Sequence, residues 1–138
     1  MKARVKWVDD VMFIGESPSG HAIVMDGSPE VGGRNMGVRP MEMLLLGMGG
    51  CSSFDVVGIL KKTRAELLDC VVELEAERAD DIPKVFTRIH AHYIVSGRNL
   101  KATDVERAIS LSVEKYCSAS IMLGKTAELT HDYEIIEV

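Results

Sequence analysis

The stretch from Pro40 to about Lys62, PMEMLLLGMGGCSSFDVVGILKK, restricts the fold more than any other part of this chain. Pro40 suits the first turn of a helix, where its missing N–H would be unpaired anyway. From Met41 onward the pattern is helical, yet apolar on nearly every side until Asp55. A helix that is apolar all round must be buried all round. One sheet from a chain of 138 residues covers only one side of it, so the other side is predicted to meet a partner. Gly47, Gly49 and Gly50 each cost the helix roughly 1 kcal/mol in propensity. Close approach of two backbones explains such a cost. The chain is therefore predicted to form an oligomer with this helix at its centre.

The uncharged run within the stretch, Met43 to Phe54, is twelve residues long. A bilayer span needs roughly 20 apolar residues, so a core helix is expected and not a membrane span. The N-terminal MKARVKWVDD alternates charged and apolar residues and lacks the apolar core of a signal peptide. A net charge of −5 disfavours a nucleic-acid or anionic-membrane binder. Three cysteines, with no spacing that suggests a disulfide framework, point to a reducing cytoplasm.

Around the helix the chain reads as strands. ARVKWV, VMFIGE and HAIVMDG form a predicted β-meander, and residues 28–39, with three glycines and two arginines, a loop. LLDCVVELEAERA and KVFTRIHAHYIVSG read as a hairpin across DDIP. Thr103 and Glu106 stand at capping-box spacing ahead of an apolar stripe of Val105, Ile109, Val113 and Tyr116, which predicts an amphipathic helix. SASIML is a shorter helical piece, with Ser118 as a candidate cap, and ELTHDYEIIEV a closing strand. The expected fold is a single α+β domain over residues 1–138, with helices packed on antiparallel sheets.

The cysteines differ in context. Cys70, in a predicted strand, reads as core packing. Cys51 follows two glycines in the apolar helix, behind a loop that carries Arg34 and Arg39. Cys117 falls between two helices, where helix-terminal N–H groups would lower a thiol pKa. Asp55, four residues after Cys51 on the same helical face, acts the other way unless a cation intervenes.

RPMEMLLLGMGGCSSFDVV followed by EKYCSAS resembles the OsmC/Ohr family of thiol-dependent peroxidases, most closely its YhfA branch. The 66-residue separation of Cys51 and Cys117 fits that family, as does the order of elements over essentially the whole chain. The resemblance implies an intertwined homodimer, two central helices wrapped by sheets from both chains. It implies that Cys51 attacks an organic hydroperoxide, that Cys117 resolves the sulfenic acid as a disulfide, and that an external dithiol reduces it, with no metal or other cofactor. It also implies an assisting loop arginine, Arg34 or Arg39, and a glutamate ten residues before the first cysteine. That position here is Met41, and the nearest carboxylate is Glu42. Nine residues place Glu42 about 180° around a straight helix from Cys51 and about 13 Å along it. A first-turn acid favoured by the helix dipole explains Glu42 equally well.

Two other readings compete. His90 and His92 share one face of a predicted strand, with His21 and His131 elsewhere, but no cysteine or carboxylate lies beside them at ligand spacing for zinc. Alternatively, a non-catalytic dimer binds an apolar small ligand between its central helices, lined by Met36, Met41, Met43 and Met48.

Overall fold

Alternating charged and apolar residues give the first two strands, β1 (Arg4–Asp9) and β2 (Met12–Glu16), which pair antiparallel through a turn at Asp10. β3 (Ala22–Met25) adds to β2 in the same sense, completing the expected meander. The computed structural model describes residues 1–138, which divide into two compact units, Met1–Leu46 and Gly47–Val138. After β3 the loop makes one 3₁₀ turn, Pro29–Val31, that ends at Gly32 with φ 88°, a left-handed conformation that glycine adopts without a steric cost. The buried Asp26 carboxylate organises this loop by accepting the backbone N–H groups of Gly27, Arg34 and Met36.

The apolar stretch is one helix, α1 (Pro40–Leu60), and the boundary between the units falls inside it. In the second unit it buries a stripe spaced four residues apart, Met48, Ser52, Val56 and Leu60. Its other face is bare: Phe54 is 82% exposed, and a side-chain carbon added at Gly47, Gly50 or Gly58 would touch nothing. Gly49 differs, because such a carbon would collide with the Leu74 side chain. α1 is therefore buried on one side only within the chain. By length and mean hydropathy alone it would suffice to cross a membrane; its Met48–Leu60 stripe is packed into a core instead.

The second unit holds β4 (Glu66–Arg78) and β5 (Phe86–Arg98), the expected antiparallel hairpin. From Ile89 onward β5 alternates strictly, and Ala91, Tyr93 and Val95 are buried in one cluster with Val56 and Leu60 of α1. The closing strand, β6 (Glu128–Glu137), pairs with β5 in parallel, so this sheet is mixed and not wholly antiparallel as expected. The cause is connectivity: a helical crossover between β5 and β6 carries the chain back to the end where β5 began.

That crossover contains α2 (Ala102–Leu111), a π-helical turn (Ser112–Tyr116) and α3 (Ser118–Leu123). Two expectations fail here. α2 begins one residue before Thr103, with Lys101 as its N-cap and no side-chain bond closing it, so the Thr103–Glu106 capping box does not form. The apolar stripe holds at Val105 and Ile109, but Tyr116 is 51% exposed. The π-turn explains the loss. Its five-residue bond, Cys117 N–H to Ser112 O at 2.8 Å, inserts one residue beyond α-helical spacing. Ser112 and Cys117 therefore share the buried face, and Tyr116 is rotated off it.

Candidate active site

α1 and the π-turn bring Cys51 and Cys117 together. Both are free thiols, and Cys51 is close enough to Cys117 to act on its ionisation. Cys117 is fully buried and is itself the N-cap of α3, a role expected of Ser118. Its sulfur accepts the Ser120 N–H at 3.3 Å and the Ser120 hydroxyl at 3.0 Å, and faces the Met48 carbonyl at 3.9 Å. Burial pushes the Cys117 thiol above its usual range, against the opposing effect of the two Ser120 donors; the neighbouring Cys51 adds to the rise. Cys117 is thus held as a protonated thiol at neutral pH. Cys70 sits on β4, packed against the core as read, with its thiol raised by burial and then by the Asp69 charge.

A buried chain of hydroxyls runs beneath this pair, and nothing in the sequence pattern announces it. Tyr93 on β5 meets Ser52 Oγ at 2.6 Å, Ser52 meets Ser112 Oγ at 2.9 Å, and Ser112 meets Asp55 Oδ2 at 3.0 Å. Tyr93, Ser52 and Ser112 are all buried. An ionised carboxylate only accepts, so Ser112 donates to Asp55, Ser52 to Ser112, and Tyr93 to Ser52. Burial raises the Tyr93 hydroxyl above its ordinary range, which keeps it a donor. Asp55 therefore spends an oxygen on a neutral hydroxyl, where sequence reasoning looked for a loop arginine. An open cleft of about 540 Å³ adjoins it, lined by Phe54, Asp55, Ile59, Arg107, Leu111 and Tyr116 among others.

The remaining candidates lie in the first unit. Arg34 pairs with Asp9 at 3.4 Å and Asp10 at 3.8 Å. The Arg39 guanidinium binds only neutral oxygens, Asn35 Oδ1 at 2.7 Å and the Gly37 carbonyl at 3.1 Å. Glu42 Oε1 accepts the Arg39 backbone N–H at 2.7 Å, closing the first turn of α1. That is the first-turn role read for it as the plainer alternative.

No three His, Cys, Asp or Glu side chains form a metal-ligand set. His90 and His92 do share a face, and the parallel register of β6 places carboxylates across from them. His92 bonds Asp132 at 2.7 Å and Glu134 at 3.4 Å; His90 bonds Thr130 at 2.7 Å and Asp132 at 3.0 Å. Their ring nitrogens are engaged. Sequence spacing missed these partners because they come from another strand. His131 faces the opposite way, edge-on to Tyr93, and His21 lies in the first unit. Of the methionines weighed as ligand lining, Met48 is a core residue and Met36 is 66% exposed.

Comparison with known proteins identifies the family and the fold. The family model described as OsmC-like protein matches residues 32–132. The chain is 50% identical over 136 residues to Protein YhfA of Escherichia coli (strain K12), covering 99% of this chain and 98% of that protein. A hypothetical protein from Aquifex aeolicus VF5 superposes with a TM-score of 0.87 at 29% identity, over 99% of this chain and 96% of the other. The organic hydroperoxide resistance protein OhrB of Bacillus subtilis shares the fold, with a TM-score of 0.63 at 16% identity over 97% of this chain and 98% of its own. With two free thiols meeting between its long helix and its π-turn, the chain belongs to the OsmC-like family.

Proposed function

We propose that this chain is a thiol-dependent peroxidase that reduces organic hydroperoxides in the cytoplasm as a homodimer. The observation that carries the reading is the meeting of Cys51 with Cys117 across 66 residues of chain, while Cys70 is packed elsewhere. The name of the Bacillus subtilis relative, organic hydroperoxide resistance protein, supports the substrate class.

In the first step the Cys51 thiolate attacks the O–O bond. An S–O bond forms, the O–O bond breaks, and the departing alkoxide takes a proton, leaving an alcohol and a Cys51 sulfenic acid. Cys117 then attacks that sulfur. An S–S bond forms, the S–O bond breaks, and hydroxide leaves as water with the Cys117 proton. A dithiol reductant restores both thiols by exchange and is itself oxidised to a disulfide. None of these steps calls on a metal, haem or flavin.

In the same reading a loop arginine assists. Arg39 is the better of the two, because its guanidinium forms no ion pair whereas Arg34 is paired with Asp9 and Asp10. Glu42 serves by fixing the Arg39 backbone. The bare Gly47–Gly50–Phe54–Gly58 face of α1 is the surface assigned to the partner's helix. A Cβ at Gly50 meets nothing within the chain, so a shift from dimer to monomer in Gly50→Leu, read by light scattering, would point to the interface there.

The test is intact-mass spectrometry of the reduced protein before and after one equivalent of cumene hydroperoxide, with peptide mapping. The expected product has lost two hydrogens, localised to Cys51–Cys117, and forms faster than with hydrogen peroxide. Cys51→Ser should abolish turnover, and Cys117→Ser should leave a sulfenic acid that dimedone traps. Turnover retained in Cys51→Ser sinks the assignment. A dimer that merely binds an apolar ligand needs no disulfide, and the same mapping would reveal its absence.

A further inference from the structure

Ser112 joins the two reacting elements. Its hydroxyl bonds Ser52 and Asp55, the residues one and four places after Cys51 on α1. Its carbonyl accepts the Cys117 N–H, the five-residue bond that defines the π-turn. The side chain thus grips the helix that carries one cysteine, and the backbone holds the turn that presents the other. An α-helical turn would pair the Ser112 carbonyl with Tyr116 instead and bring Tyr116 toward the buried face. Cys117 occupies that face only while the extra residue is retained.

We propose that Ser112, anchored by Asp55, is a positioning residue for the resolving step: its hydroxyl latches the π-turn to α1 and so aims Cys117 Sγ at Cys51. The proposal rests on the peroxidase reading for its catalytic consequence, though not for the latch itself. Without the latch the turn relaxes, and Cys117 leaves its bed of Ser120 donors. Formation of the sulfenic acid at Cys51 involves no atom of the π-turn and continues. Closure of the disulfide, which needs the two sulfurs aligned, slows.

The experiment compares wild type, Ser112→Ala, Asp55→Ala and Asp55→Asn. Asn at position 55 keeps an oxygen that accepts from Ser112, whereas Ala removes it. The first readout needs no peroxide: native iodoacetamide labelling of each cysteine in the reduced protein, followed by mass. Cys117 labelling is expected to rise about tenfold in Ser112→Ala and Asp55→Ala, and to stay near wild type in Asp55→Asn, with Cys70 unchanged throughout. The second readout follows oxidation by cumene hydroperoxide with dimedone quenching. Ser112→Ala is expected to form the Cys51 sulfenic acid at the wild-type rate and to close the disulfide on the order of a hundredfold more slowly. Unchanged Cys117 labelling in both Ala variants overturns the latch. So does a rise in Cys70 labelling that matches Cys117, since that is general loosening. If wild type forms no sulfenic acid, the peroxidase reading fails and the labelling still decides the latch. Asp55 is half-buried and outside the core cluster, so its variants report even where Ser112→Ala does not fold.

Discussion

The two sheets of this protein are built from similar strands and buried differently. Every residue of β1 is exposed, and Val5, Trp7, Val8, Ile23 and Val24 of the first sheet all face solvent. In the second sheet, β5 buries alternate residues completely, and eight buried side chains from α1, α2 and β5 form one cluster. Both sheets show the alternation expected of a half-buried strand. The difference is that α1 and α2 cover the second sheet, while the first sheet leaves its apolar residues exposed. Alternation specifies a face to be buried without specifying what buries it.

The sharpest way to break this contrast is truncation. Leu60→Ala removes a side chain from the centre of the second unit's cluster and should cost about 3 kcal/mol, read by chemical denaturation. A loss below about 1 kcal/mol would mean that this core is loose enough to collapse around the gap. Tyr93→Phe is the next largest. It deprives Ser52 of its donor in a fully buried place and should cost about 2 kcal/mol, with Ser112→Ala giving less than its full effect in the Tyr93→Phe background. Strict additivity of the pair would dissolve the hydroxyl chain into independent contacts.

Trp7→Ala probes the other sheet. Trp7 is 60% exposed, and truncation at an uncovered surface changes stability by no more than about 0.5 kcal/mol. The homodimer proposed above predicts a larger loss that grows on dilution, measured as thermal midpoint against protein concentration. The smallest effect is on the outer face of the second sheet. The Asp132 hydrogen bond raises His92 above its ordinary 6.5, and the His92 bond lowers Asp132 below its ordinary 3.8. The raised histidine stabilises fully below pH 6.5 and ceases to do so as pH climbs through its folded value. The lowered aspartate stabilises above pH 3.8 and ceases to do so as pH falls. The pair therefore helps most between these limits. His92→Gln should lower the thermal midpoint slightly at pH 5.5 and leave it unchanged at pH 9.

Much of this was legible in the residues. Apolar runs and turn chemistry marked the strands and the α-helices, and Gly47 and Gly50 marked a helix face left bare. What escaped depended on partners distant in sequence. The π-turn is one case. A 3.6-residue stripe assigns Tyr116 to the core, and only the packing of α2 against the rest of the second unit selects Cys117 instead. The direction of β6 is another, because its parallel register is set by the length of the crossover, and with it went the carboxylates that face His90 and His92. Ser52 and Ser112 look like ordinary small helical residues until Tyr93 and Asp55 are placed beside them.

The one-way run of hydroxyls gives the protein a built-in gauge. Every proton in it points toward Asp55 because that group, when ionised, has none to give. Removing that acceptor, as in Asp55→Ala, would let Ser112 turn, then Ser52, then Tyr93, whose ring is wholly enclosed. A chromophore at the bottom of the core is thus wired to a half-buried carboxylate four residues after Cys51 on α1. The near-ultraviolet signal of Tyr93, isolated as the difference between wild type and Tyr93→Phe, should change, without any added label, when Asp55 is replaced by Ala.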